Sequence, residues 1–133
     1  MIFPRKYRLA QVAARPVPSE AAVVTKAALR IAALLAIPQK SLARIVGLSE
    51  ASVSRMAAGT FTLAAGDKPF ELAVLFIRFY RALDALAQGD AEVARAWLRA
   101  PNAALGGTPL TLIETLPGLV NAVAYLDARR ARL

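Results

Sequence analysis

The chain has 133 residues, 57% of them hydrophobic, and a formal net charge of +8. That length suffices to bury a real core, in one domain or two small ones. With neither cysteine nor histidine, it has no disulfide framework, thiol nucleophile, thiolate or imidazole metal ligand, and it lacks the commonest general base.

The nine carboxylates are scattered, with no paired-acid or metal-binding spacing. Gly106-Gly107 runs into Thr108-Pro109, without the lysine of a phosphate-binding loop. A protein that is not an enzyme, with no cofactor and no metal, is therefore expected. The charge is unevenly spread. Through Ala58 there are nine Lys or Arg against Glu20 and Glu50, a net of +7. From Gly59 to Ala128 five basic residues face seven acidic ones, a net of −2, and the final RRARL restores +3. A basic front half is the electrostatic footprint of a phosphate-binding surface.

Residues 1–18 read as a basic arm punctuated by Pro4, Pro16 and Pro18, with Arg5, Lys6 and Arg8 available to phosphates. These cations resemble the start of a signal peptide, but LAQVAARPVP behind them is no uninterrupted apolar core. A first helix should start at a Ser19 N-cap and run to about Ala36, with Val23, Val24, Ala27, Ile31, Leu34 and Leu35 as its apolar stripe. Lys26, Arg30 and the stop at Pro38 mark it as a buried soluble helix and not a membrane span, so a cytoplasmic protein is expected.

Residues Gln39 to Ala58, QKSLARIVGLSEASVSRMAA, have the spacing of a helix-turn-helix over about Gln39–Val46 and Glu50–Ala58. Ala43 is small where two helices cross, and Gly47 supplies the left-handed turn. Val53 and Met56 point inward, while Ser49 caps the second helix. Glu50, Ser52, Ser54 and Arg55 face outward as probes of a major groove, with Ser52 and Arg55 the best placed for base edges. Lys40 and Arg44 suit phosphates. The helix-turn-helix domain spans 19–66, and one such module binds DNA weakly enough that a dimer on two half-sites is expected.

After a connector from Gly59 to Asp67, a long helix is predicted from about Pro69 to Gln88. Its apolar residues cover more than a third of the circumference, so it is buried on two sides, within the core or between subunits. Gly89 should cap it. The next helix starts near Asp90 and carries Val93, Trp97 and Leu98 to Pro101. Trp97 reads as a core tryptophan, with an interface anchor as the alternative. Asn102 is suited to holding the following loop by local backbone bonds, Gly106 and Gly107 permit positive φ, and Pro109 starts a short helix ending near Glu114. A last helix from about Pro117 to Arg130 should bury Leu119, Val120, Val123 and Leu126.

The run Trp97-Leu98-Arg99-Ala100-Pro101-Asn102-Ala103-Ala104-Leu105-Gly106-Gly107-Thr108-Pro109 resembles the signature of Xre/MbcA/ParS-like antitoxins, WL-x-x-PN-x-x-L-x-G with a proline shortly after. Leu112, Thr115, Gly118, Val123 and Leu126 are similar to the rest of that domain, and Ser54-Arg55 followed by Gly59 is similar to its Xre-like half. The chain departs from the family pattern in the connector Leu63 to Pro69, and in having Thr108 alone between the last loop glycine and Pro109.

The resemblance implies an all-α protein, a helix-turn-helix N-terminal domain followed by a small helical toxin-binding domain at 67–133. It implies an antitoxin that neutralises a cognate RES-domain toxin consuming NAD and represses its own operon through operator DNA. Toxin contacts are then expected at Asn102, Leu105 and Gly106, and at Asp127, Arg130 and Leu133. The Asp127 side chain or the terminal carboxylate would mimic phosphate in an NAD cleft. A free-standing repressor whose second half dimerises or senses a ligand, and a purely structural helical protein, are the competing readings.

Overall fold

The structure, a computed structural model, describes residues 17–131. The arm residues Arg5, Lys6 and Arg8, and Leu133 at the other end, lie outside it. Seven helices follow in order: α1 (Glu20–Leu34), α2 (Gln39–Val46), α3 (Glu50–Ala57), α4 (Lys68–Leu86), α5 (Ala91–Arg99), α6 (Pro109–Leu112) and α7 (Leu116–Ala131). No strand is present among the described residues; an isolated antiparallel bridge joins Asn102 to Gly107.

α1 starts as its sequence dictates. Ser19 is extended, and its hydroxyl accepts the Ala22 amide at 3.1 Å. The helix stops earlier than Pro38 alone requires. Ala36 turns left-handed at φ 53°, and the Ile37 amide reaches back to the Ala32 carbonyl at 2.8 Å. The inner face holds Val24, Thr25, Ala28, Ile31 and Ala32, whereas Val23 and Leu34 are about half exposed, at 53% and 46%. Val24 and Ile31 of the expected stripe, and Leu35 just past the helix, are buried, and Val23 and Leu34 are not. The small residues Ala28 and Ala32 are turned inward beside them. Thr25 is buried without strain: its hydroxyl donates to the Ala21 carbonyl and accepts the Leu63 amide at 3.0 Å, fastening the connector to α1.

α4 is buried on two sides, as its wide apolar surface predicts. It packs against α1 and α2 on one side and α7 on the other. Phe70, Ala73, Phe76, Phe79, Ala82 and Leu83 are its buried residues. Past its C-cap both Gln88, at φ 54°, and Gly89, at φ 79°, are left-handed, and the Gly89 amide returns to the Asp84 carbonyl.

α5 is capped by Asp90, whose carboxylate accepts the Glu92 and Val93 amides. It buries Ala94 and Leu98, while Val93 is 50% exposed and Trp97 is half-buried. Trp97 sits in a file of rings, 6.3 Å from Phe79 and 6.5 Å from Tyr125. α6 ends at Leu112, two residues sooner than expected. α7 buries Leu119, Ala122, Val123 and Leu126, and leaves Val120 47% exposed. Again an alanine, here Ala122, occupies the inner position assigned to a larger neighbour.

Two glycines are required by geometry. Gly47 sits at φ 71°, and an added Cβ would press on Leu72 of α4 at 3.3 Å. Gly118 lies against the backbone of the preceding turn, where a Cβ would collide with the Leu112 carbonyl oxygen. The Gly118 amide donates to the Thr115 hydroxyl, which caps α7.

Candidate functional site

The turn between α2 and α3 forms as its residues demand. After Gly47, the Leu48 amide bonds to the Ala43 carbonyl at 2.9 Å. Ser49 then starts α3 by accepting the Ser52 amide at 3.1 Å. Val53 and Met56 are buried with Leu42, Ala43 and Val46, which locks α3 across α2. Glu50, Ser54 and Arg55 are exposed, on the free face of α3.

Ser52 differs. It is half-buried, and its hydroxyl accepts from Ser49 at 3.0 Å and from Arg55 at 3.4 Å. It therefore braces Arg55 from behind, in a polar chain Ser49–Ser52–Arg55. The two residues chosen for base edges thus come together with unequal reach, and Arg55 is the one presented outward.

Among the described residues, Lys26, Arg30 and Lys40 are exposed and make no ion pair. Arg44 does: its guanidinium lies 3.3 Å from the Glu114 carboxylate, just beyond α6. Cations of the second half are mostly engaged within the molecule. Lys68 pairs with Glu71 at 3.2 Å and Arg78 with Asp127 at 3.8 Å. Arg95 donates to the Leu34 carbonyl at 3.0 Å, and Arg99 to those of Leu35 and Ala36 at 3.0 and 2.7 Å. These two arginines close the C-terminal end of α1, where carbonyls lack helical partners and the dipole is negative. Arg129 stands over the Tyr125 ring, 5.8 Å from its centre. The front of the molecule leaves most of its described cations unpaired; the rear spends most of its own on contacts within the chain.

The loop after α5 is laced by one residue. The Asn102 amide donates to the Gly107 carbonyl, and its own carbonyl accepts the Gly106 and Gly107 amides. Its side-chain oxygen accepts the Leu105 amide at 3.1 Å. Gly106 is exposed at φ 83°, while Gly107 needs no positive φ and lies against Leu112 of α6. Leu105 is half-buried, and Ala103 and Ala104 project beside it. Asn102, Leu105 and Gly106 therefore form one rigid, mostly carbon-faced projection. Asp127 is held elsewhere, on α4 through Arg78, and Arg130 is exposed near the end of α7.

Glu114, Arg78 and Gly118 are structural participants that reading along the sequence did not assign to these contacts. Their partners lie far away in the chain or, for Gly118, depend on a close backbone approach that spacing does not reveal. Beside the Arg78–Asp127 pair, an open groove of about 560 Å³ is lined by Lys68, Glu71, Leu72, Val74, Arg78 and Leu116, among others. No cluster of three or more potential metal-ligating side chains occurs among the described residues, and none of their helices is long and apolar enough to cross a membrane.

A tight helix-turn-helix joined through a shared long helix to a second helical unit defines a two-part regulatory binding protein. Residues 15–78 match the antitoxin Xre-like helix-turn-helix domain, and residues 82–132 match the antitoxin Xre/MbcA/ParS C-terminal toxin-binding domain. The chain belongs to the Xre/MbcA/ParS-like antitoxins. Both matched domains are binding domains and neither is catalytic, and their boundary falls inside α4. No curated protein matches the chain.

Proposed function

We propose that this antitoxin acts in the cytoplasm on two macromolecules. Its helix-turn-helix binds operator DNA in its own promoter and represses the operon. Its second half neutralises a RES-domain toxin that consumes NAD. The observation that carries this reading is the division of surface chemistry: accessible cations and the Arg55-bearing face of α3 in front, and the Asn102–Gly107 projection behind.

On DNA, Arg55 and Ser54 reach base edges with Glu50 flanking, Ser49 and Ser52 hold Arg55, and Lys40 contacts phosphate. On the toxin, Asn102 shapes the loop that presents Leu105 and Gly106, and the end of α7, with Asp127, Arg130 and Leu133, blocks substrate entry. A homodimer matches a two-half-site operator. The groove between α4 and the start of α7 supports it: exposed Val74 and Leu116 sit within a rim that holds both Lys68 and Glu71, charges that a two-fold copy can pair across the interface.

The test is to co-express the chain with the product of the neighbouring reading frame, purify the pair and assay NAD consumption. Co-purification with suppressed NAD loss is expected. A chain ending before Asp127 should still bind the toxin but no longer suppress it; full suppression by that truncation removes the end of α7 from the mechanism.

A further inference from the structure

Arg44 lies on the helix-turn-helix, on the first of its two helices, yet its ion-pair partner belongs to the other half of the protein. Glu114 is 70 residues away in sequence, and its side chain is only 17% exposed against 58% for Arg44. The acid is thus the enclosed member and the arginine the accessible one. Glu114 lies just past the Ile113 C-cap of α6, and α6 lies against Gly107 of the Asn102–Gly107 loop through Leu112. Among the described residues no second cation pairs with Glu114. A carboxylate at 3.3 Å neutralises the guanidinium and repels an approaching phosphodiester, so two anions compete for one cation.

We infer that Glu114 is a positioning residue that withholds Arg44 from the DNA backbone, so that the toxin-binding half sets the operator affinity of the front half. This rests on the DNA-binding reading above. The ligand at issue is a phosphodiester, and the restraint is a partly exposed ion pair. Its release changes affinity modestly, about 2- to 5-fold, in keeping with such pairs.

The experiment measures binding of the full chain to a labelled duplex from its own upstream region, over a range of salt concentrations. Glu114→Gln, which keeps the shape and removes the charge, should tighten binding about 2- to 5-fold and steepen the log K against log salt slope by about 0.9, one added phosphate contact. Arg44→Ala alone should change little, and adding it to Glu114→Gln should abolish the gain. Glu114→Lys should tighten binding further, and circular dichroism melts confirm that each variant is folded. Unchanged or weakened binding in folded Glu114→Gln overturns the inference while wild-type operator binding stands. Wild-type protein that shows no salt-dependent binding overturns the DNA-binding reading itself.

Discussion

Ala36 and Gln88 both end helices in left-handed backbone, at φ 53° and 54°. A Cβ in that region is unfavourable by about 1–2 kcal/mol, part of which glycine forfeits again through its freer unfolded chain. Gln88→Gly should therefore stabilise the fold by about 0.5–1 kcal/mol in urea denaturation, whereas loss of stability would contradict the turn described. Gly118 has the opposite sensitivity. Its contact with the Leu112 carbonyl leaves no room for a methyl group, so Gly118→Ala should destabilise by about 1–3 kcal/mol or more. Tyr80 on α4 adds a pH dependence: burial, and then the Asp84 carboxylate, raise its phenol above the ordinary 10.0. The folded state then holds this proton more tightly than the unfolded chain. Its contribution is intact below that ordinary value and is lost as pH climbs through the raised one. Stability should begin to fall above about pH 10, and Tyr80→Phe should flatten that limb of the stability curve. Arg55→Ala, which removes the outward guanidinium that Ser52 braces, should weaken operator binding by about 1–3 kcal/mol in an anisotropy titration.

The helices differ in how well their residues announce them. α2, α3 and the turn between them were legible because their signals are local: Gly47 for the left-handed step, Ser49 for the cap, Val53 and Met56 for the inner face. The inner stripes of α1 and α7 were legible in part: Val24, Ile31, Leu35, Leu119, Val123 and Leu126 are buried as read, and Val23, Leu34 and Val120 are not. Alanines at positions 28, 32 and 122 mark close helix approach, and that becomes visible only once the neighbouring helix is in place. The loop after α5 was legible from Asn102 and Gly106, since an asparagine side chain bonding backbone three residues on is a short-range device. The closing of α1 by Arg95 and Arg99 was hidden, because it spans more than 60 residues of chain. Arg99→Met keeps much of the side-chain bulk but removes the two bonds to the Leu35 and Ala36 carbonyls just past α1. It should lower stability by about 1 kcal/mol, and an unchanged urea midpoint would show those contacts to be passive.

At the scale of the whole molecule, charge and packing are organised differently. The buried residues form one continuous core running from Val24 in α1 to Leu126 in α7, with α4 common to both ends. The surface is unevenly divided: among the described residues Lys26, Arg30, Lys40 and Arg55 in front are exposed without ion-pair partners, while of the rear cations all but Arg81 and Arg130 are absorbed in salt bridges, helix ends and an aromatic ring. The Arg44–Glu114 contact is an ion pair between the two halves. The most direct test is the mass of the complex formed when the full chain, its own promoter duplex and the neighbouring toxin are mixed and separated by size with light-scattering detection. A single species containing all three is predicted; a chain that elutes apart from both the duplex and the toxin would contradict it.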